Sequence, residues 1–219
     1  MLVEDRDRAP SETERQTRGN APARLLQAAS SVMIERGSTE LTLKDVAARS
    51  GLNGALVKYH FGSKTGLLTA LLKRDALAAV RQLNTLLRQN ATPTEKLKLH
   101  IAGIVNAYYR SPYLNRLIHD LLYQSSAEVA QQVSDFFVTP VVEFHRKLLA
   151  EGQRCGEFRA VDPMLFYFTL FGAIDHMFHA RHTLLYGFQV PQVTDQMRRD
   201  LIRIVTDMAL GAVLAERRG

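Results

Sequence analysis

The stretch TLKDVAARSGLNGALVKYHFGSK, residues 42–64, decides the architecture of the chain. It holds two short helical patterns separated by a glycine. Thr42, followed three residues later by Asp45, predicts a capping box at the start of the first helix. Gly51 permits a left-handed turn, and the small side chain of Ala47 lets the second helix approach the first. The spacing therefore predicts two helices joined by a tight turn.

The second of these helices would present its N-terminal end, Asn53 to Lys58, to the major groove of DNA. An asparagine can reach adenine through two hydrogen bonds, and Gly54 and Ala55 allow close approach to base edges. Between Thr42 and Arg74 there are six basic residues and one acidic residue, a local excess that suits a phosphate backbone. By itself this excess also fits a solvated basic surface. We predict base readout by Asn53, Gly54, Ala55 and Lys58, and phosphate contacts by Thr42, Lys44, Tyr59, His60 and Lys64.

The same stretch resembles the DNA-binding segment of the tetracycline-repressor (TetR) family of transcriptional regulators. The usual form of that segment is Thr-x-x-x-Ile-Ala-x-x-Ala-Gly-Val-Ser-x-Gly-x-x-Tyr-x-His-Phe-x-x-Lys-x-x-Leu, and the resemblance extends over residues 25–72. It implies an N-terminal three-helix DNA-binding domain, a linking helix, and a larger helical domain for ligand binding and dimerisation. Carried over residue by residue, it places Thr42 at a phosphate, Tyr59 and His60 near the DNA backbone, and Lys64 facing the DNA.

Three positions depart from the family pattern. Asn53 stands where serine is common, Ala55 where glycine is common, and Lys58 where tyrosine is common. Because these positions belong to the predicted reading surface, the resemblance implies DNA binding but does not imply a particular operator sequence.

The rest of the chain shows helical patterns with clear start signals and no alternating strand pattern. Thr92 precedes a proline and is followed by Glu95, and Asp162 precedes another proline, so helices are predicted to begin at both places. A long helix is predicted over residues 126–152, with a kink at Pro140. The predicted fold is all-α with about nine helices. We expect a disordered arm over 1–20, a helix-turn-helix DNA-binding domain over 21–66, and a helical effector-binding and dimerisation domain over 67–219.

Composition indicates the compartment in which the protein is expected. The chain has 219 residues, is 46% hydrophobic and carries a net charge of +6. It has no apolar run near the roughly 18 residues that a membrane helix needs, and its first twenty residues are polar, so we expect neither a membrane span nor a secretion signal. The single cysteine, Cys155, excludes an intramolecular disulfide and suits a reducing compartment. We expect a cytoplasmic protein that uses no cofactor.

For the larger domain the predictions concern a ligand pocket and a dimer. A homodimer could place two recognition helices on half-sites of a pseudo-palindromic double-stranded DNA operator. The ligand would be a small-molecule effector of unknown identity, bound among aromatic side chains of the helical bundle. We predict the pocket at Tyr109, Tyr123, Phe144 and Phe171, and the dimer interface at Leu170, Ile174, Phe178, Ile204 and Met208.

Other readings of the sequence remain open. His176, His179 and His182 recur every three residues and could serve a metal-dependent helical enzyme. However, three-residue steps place the first and third histidine roughly 120° apart around a helix, so one ion would not easily bind all three, and we predict no metal. The GLNG segment also matches the GXXG loop of KH domains, but those domains need strands. In a third reading, the basic patch binds an acidic protein partner.

Overall fold

The computed structural model describes residues 20–215, and the predicted arm lies outside them except for Asn20. The described residues form ten α-helices and no strand, apart from one isolated bridge between Phe158 and Leu214. The all-α prediction is confirmed. The helices are α1 (Ala21–Arg36), α2 (Leu43–Ser50), α3 (Ala55–Phe61), α4 (Lys64–Arg88), α5 (Pro93–Arg110), α6 (Tyr113–Tyr123), α7 (Ala127–Val133), α8 (Thr139–Arg154), α9 (Pro163–His179) and α10 (Asp195–Val213).

Local capping explains where several of these helices begin. The Thr92 hydroxyl accepts a hydrogen bond from the backbone N–H of Glu95, whose carboxylate accepts one from the N–H of Thr92 at 2.8 Å. Asp162 caps α9 through the N–H of Leu165 at 2.9 Å. Such caps satisfy N–H groups that have no partner inside the helix, so they fix the first turn.

The predicted long helix over residues 126–152 is interrupted by a π-helical segment at Ser134–Val138, between α7 and α8. The backbone N–H of Thr139 donates to the carbonyl of Ser134, five residues earlier. Pro140 follows at once and has no N–H with which to continue the α-helical ladder. The irregularity was predicted at the proline, but it lies in the turn before it.

The described chain divides into two compact units. In the first, residues 20–36 and 40–71, α1 packs against α2 and α3. In the second, residues 37–39 and 72–215, α5 is central and packs against α6, α8, α9 and α10. Because α1 and α5 each bury one apolar face among their neighbours, they organise the cores of the two units. The buried side chains of the first unit include Leu25, Ala29, Met33, Val46 and Val57.

The structure can be compared with the prediction that the chain has no membrane-spanning helix. Within residues 20–215, no helix combines the length and the apolar character required to cross a lipid bilayer.

Candidate nucleic-acid interface and ligand cavity

The start of α2 is held by a network around Asp45. The Thr42 hydroxyl accepts a hydrogen bond from the Asp45 N–H at 3.2 Å, and the Asp45 carboxylate accepts one from the Thr42 N–H at 2.7 Å. The Arg36 guanidinium donates to both carboxylate oxygens, at 2.6 and 2.9 Å. These hydrogen bonds, with Arg36 foremost, hold the pKa of Asp45 well below its usual range. The end of α1 is thereby tied to the first turn of α2.

The turn between α2 and α3 has the geometry that its glycine predicts. Gly51 adopts a φ of 66° and donates its N–H to the carbonyl of Ala47 at 3.0 Å. The Arg24 guanidinium of α1 donates to the carbonyl of Ser50 at 2.8 Å. A Cβ added at Gly54 would lie 3.7 Å from the Cβ of Ala47, so two small residues meet where the helices approach. Together these contacts fix α3 relative to α1 and α2.

Asn53 is positioned by its own side chain just before α3. Its Oδ1 accepts a hydrogen bond from the N–H of Ala55 at 2.9 Å, while the side chain stays exposed. An amide oxygen has two lone pairs and an amide nitrogen has two donors. The hydrogen bond from Ala55 uses part of the acceptor capacity of Oδ1. The two N–H donors of Nδ2 are therefore the groups of this side chain that are free to bind a partner.

The outer surface of α2, α3 and the start of α4 is basic and partly aromatic. Lys44, Lys58 and Lys64 are exposed, and among residues 20–215 none of them forms an ion pair. Tyr59 is 81% exposed, and its ring contacts the ring of His60 at a centroid distance of 4.8 Å. Exposed lysines without an ion-pair partner in the described chain give this surface a positive potential, which attracts polyanions.

The predicted DNA-contact residues can now be located on this surface. Asn53, Ala55, Lys58, Tyr59 and Lys64 are exposed. Thr42 and Lys44 are also exposed, whereas Gly54 and His60 are half-buried. The Thr42 hydroxyl already donates to Asp45 at 2.8 Å, so a phosphate there would compete with that carboxylate.

The junction between α3 and α4 contains a residue that the sequence analysis missed. Gly66 lies in the first turn of α4, and its N–H donates to the Ser63 hydroxyl at 3.0 Å. A Cβ at position 66 would lie 2.0 Å from the carbonyl oxygen of Phe61, the last residue of α3. The sequence does carry a signal for this close approach. It places a glycine in the first turn of a clearly predicted helix, where a helix-forming residue is expected.

The second unit contains a cavity of about 330 Å³ lined by α5, α6, α9 and the π-helical segment. Of the four predicted pocket residues, Tyr123 and Phe171 line it. Tyr109 instead lies beside the Arg198 guanidinium, 5.5 Å from its ring centroid, and Phe144 is buried against His100. The aromatic lining consists of Tyr108, Tyr123, Phe137, Tyr167, Phe168 and Phe171.

One carboxylate, Asp175, lies in the cavity wall. Its Oδ2 is 3.4 Å from Nε2 of His119, and its buried Oδ1 has no hydrogen-bond partner in the described chain. Burial raises the pKa of Asp175, against the lowering effects of the Tyr108 hydroxyl and of His119. Burial, together with the negative charge of Asp175, raises the pKa of Tyr167 to about 12. The polar groups of the cavity are therefore coupled through this carboxylate.

A pair of buried histidines lies behind the cavity wall. Nε2 of His100 and Nε2 of His145 are 2.9 Å apart, and burial lowers the pKa of both rings, that of His145 to about 4. The His145 ring contacts the rings of Tyr167 and Phe171, with centroid distances of 5.9 and 6.2 Å. Neutral imidazoles thus form part of the support of two lining residues.

The predicted dimer residues fall into two groups. Leu170 and Ile174 are fully buried within the subunit, so they leave no surface for a partner, and Phe178 packs against Tyr108. Ile204 and Met208, by contrast, are 47% and 57% exposed. Helical periodicity marks an apolar stripe but does not say whether the stripe is covered within the subunit, so it did not separate Leu170 and Ile174 from exposed positions. The exposed apolar residues of α9 are Met164, Leu165 and Phe168.

The histidine series does not converge on one point. α9 ends at His179, and His182 lies beyond it with its ring near Tyr186. Within residues 20–215 there is no group of three or more His, Cys, Asp or Glu side chains that could hold a metal ion. His176 and His179 are instead part of the cavity lining.

A glycine turn between two short helices, with a basic outer surface on the second, defines a helix-turn-helix protein of the DNA-binding class. The model described as "Tetracyclin repressor-like, C-terminal domain" matches residues 90–218, and that described as "Bacterial regulatory proteins, tetR family" matches residues 25–71. The chain therefore belongs to the TetR family of transcriptional regulators.

Individual proteins are similar to this chain over most of its length. The HTH-type transcriptional repressor NicS of Pseudomonas putida is 25% identical over 189 residues, which is 85% of this chain and 89% of that protein. The nucleoid occlusion factor SlmA of Klebsiella pneumoniae is 26% identical over 157 residues, 69% of this chain and 78% of its own. The fold is similar to that of FadR from Bacillus subtilis in complex with stearoyl-CoA, with a TM-score of 0.69 and 21% identity over 86% of this chain and 97% of that one.

Proposed function

We propose that this regulator is a ligand-responsive repressor that binds a pseudo-palindromic operator as a homodimer, with α3 in the major groove. The observation that carries the proposal is the surface of α2, α3 and early α4, where three exposed lysines have no ion-pair partner in the described chain. Neutralising phosphates with such lysines releases condensed counterions and favours binding. The protein acts by binding in the cytoplasm, with no catalytic step and no cofactor.

The roles within this surface divide between position and readout. Asn53, Gly54, Ala55 and Lys58 stand at the N-terminal end of α3, the end that meets base edges in helix-turn-helix complexes. The donors of Asn53 Nδ2 suit acceptors such as N7 or O6 of guanine and N7 of adenine. Contacts to phosphates fix the register without reading sequence. We assign those contacts to Thr42, Lys44, Tyr59, His60 and Lys64.

We place the contact between the two subunits on the exposed apolar faces of α9 and α10. Ile204, Met208 and Phe168 leave large apolar area in water, and Phe168 alone is 63% exposed. Covering such area is the usual driving force for association. A two-fold dimer can bring two recognition helices to half-sites about 34–36 Å apart.

The cavity of the second unit is proposed as the effector site. Its volume of about 330 Å³ and its aromatic lining suit a small organic ligand. FadR, which shares the fold, has been seen in complex with stearoyl-CoA. An effector that prefers one dimer geometry would change operator affinity by its differential binding to the two states.

Selection of binding sites from random double-stranded DNA tests the proposal. We expect a palindrome with a fixed half-site spacing. With six to ten phosphate contacts, affinity for that site should fall by about 10³–10⁵ between about 50 and 200 mM salt. A non-palindromic site, or binding that is insensitive to salt, would contradict the proposal, and failure to select any DNA site would favour an acidic protein partner.

Two substitutions separate the roles. Lys64→Ala should weaken binding to all sequences about equally and flatten the salt dependence, whereas Asn53→Ala should relax the preference at one base position. Arg49→Ala is a matched control, because Arg49 is also exposed but is paired with Glu35. Equal, sequence-independent losses from Lys64→Ala and Asn53→Ala would refute the assigned roles.

A further inference from the structure

The ligand cavity of the second unit carries one carboxylate and no basic side chain stronger than histidine. Of the described residues that line it, Asp175 is the only acid, and neither lysine nor arginine is present. Three histidines, His119, His176 and His179, are the other lining side chains that can carry charge near neutral pH. A cavity with this composition favours a positive group over a negative one.

The hydrogen bonding of that carboxylate is incomplete. An ionised carboxylate can accept about four hydrogen bonds. The Oδ2 of Asp175 has His119 at 3.4 Å, a long contact, and its Oδ1 has no hydrogen-bond partner in the described chain. The Tyr108 hydroxyl and the Asn115 amide are near Asp175 and lower its pKa, but neither reaches Oδ1 with the geometry of a hydrogen bond. Asp175 lines the cavity and has few hydrogen-bond partners, so a ligand donor that reaches its carboxylate would be favourable.

The aromatic walls suit the same kind of ligand. The rings of Tyr167 and Phe171 stack with a centroid distance of 4.6 Å, and the ring of Tyr123 stacks on His119 at 5.6 Å. Aromatic faces carry negative electrostatic potential and attract cations, in addition to packing against apolar bodies. The walls can therefore hold the body of a ligand while they also favour its positive charge.

We propose that the effector is an aromatic or alkyl amine, with its apolar body between the cavity's aromatic rings and its protonated nitrogen donating to Asp175. The proposal rests on the proposed function of the cavity as the effector site and specifies the chemistry of the ligand. Burial of Asp175, which raises its pKa, makes the carboxylate sensitive to a nearby positive charge. An anionic ligand of the same shape would meet repulsion from Asp175 and would find no lysine or arginine in the lining.

Three probes of matched shape test this inference by direct binding to the full chain without DNA. They are 1-naphthylmethylamine, 1-naphthylmethanol and 1-naphthoate, which are cationic, neutral and anionic at about pH 7.5. Isothermal titration calorimetry should give the order amine, alcohol, naphthoate from tightest to weakest. Equal affinities, a preference for naphthoate, or no binding of the amine would overturn the inference.

The variant Asp175→Asn keeps the shape of the side chain and removes its charge. It should weaken the amine at least about tenfold, as expected for a charge-assisted hydrogen bond, and leave the alcohol within about threefold. Glu143→Gln removes an exposed carboxylate outside the cavity and should change neither affinity. Unchanged binding of the alcohol shows that Asp175→Asn still folds, and if it does not fold, the order of the three probes on the unaltered protein decides the question.

This test separates the inference from the proposed function. Amine binding that depends on Asp175 but leaves operator affinity unchanged would support the ligand chemistry and refute the coupling to DNA. Release of the operator by naphthoate but not by the amine would support the coupling and overturn the ligand chemistry.

Discussion

The close approach of α3 and α4 at Gly66 makes a sharp prediction about DNA binding. A Cβ at position 66 would lie 2.0 Å from the carbonyl oxygen of Phe61 and 3.1 Å from its carbonyl carbon. Ordinary contacts of a Cβ are longer than 3.4 Å. The obstacle is backbone, which cannot rotate aside as a side chain can. Gly66→Ala must therefore displace the C-terminal end of α3, which carries Tyr59 and His60.

The size of the effect follows from two opposing terms. Forcing an extra methyl group into a closely packed position costs about 1–3 kcal/mol, while replacing glycine by alanine inside a helix returns about 1 kcal/mol. Because the obstacle is the Phe61 backbone, the upper end of the first range applies, and the expected net loss of stability for the first unit is about 2 kcal/mol. A loss of that size in the DNA-competent conformation corresponds to a weakening of DNA binding by roughly thirtyfold, since 1.4 kcal/mol is a factor of ten.

Fluorescence anisotropy with the selected operator, together with thermal unfolding, measures both consequences of Gly66→Ala. Gly103→Ala is the matched control, because Gly103 lies within α5 and a Cβ there would meet nothing within 4 Å. The control should be neutral or stabilising and should bind the operator normally. If Gly66→Ala binds and unfolds like the parent protein, α3 is not held by this contact and the reasoning fails.

Two further predictions concern the second unit. Gly152→Ala should lower the free energy of unfolding by about 1–3 kcal/mol, because its Cβ would lie 2.1 Å from the Phe158 ring. Gly103→Ala is the control and should cause no such loss. Equal melting temperatures of the two variants would contradict this prediction. Burial lowers the pKa of His145 to about 4 and also lowers that of His100. As the pH falls below about 6.5, these histidines therefore bind protons in the unfolded state but not in the folded state. The free energy of unfolding should therefore decline from about pH 6.5 to 4, and His145 should contribute about 3 kcal/mol of that decline. Urea unfolding at fixed protein concentration measures it. If His145→Gln leaves the pH dependence of the unfolding free energy unchanged, the assignment to His145 is wrong.

The helices and their starts could be predicted because local interactions fix them. Thr42 with Asp45, and Thr92 with Glu95, form the capping boxes that their spacing indicates. Gly51 adopts the left-handed conformation expected for the turn. Each of these features depends on residues within a few positions of one another, so no knowledge of tertiary packing was needed.

The cavity could not be predicted in the same way, because it depends on which helix faces meet. Tyr109 and Phe144 share the composition of the true lining residues but lie on other faces, against Arg198 and His100. Nothing in a single sequence places Asp175 beside Tyr108 of α5. Such contacts join residues far apart in the chain, and periodicity alone does not identify them.

The position of α9 offers a physical route between ligand and DNA in the proposed mechanism. Phe168 and Gly172 line the cavity and are also exposed on the outer face of α9, the face with the uncovered apolar side chains. A ligand that contacts Asp175 and Phe171 thus acts on the same helix that is proposed to meet the partner subunit. Packed helices shift between discrete arrangements rather than deform continuously, so a small movement of α9 at the cavity would alter the dimer geometry and with it the spacing of the two recognition helices. By linkage, the operator must then change the affinity for the effector by the same factor as the effector changes the affinity for the operator.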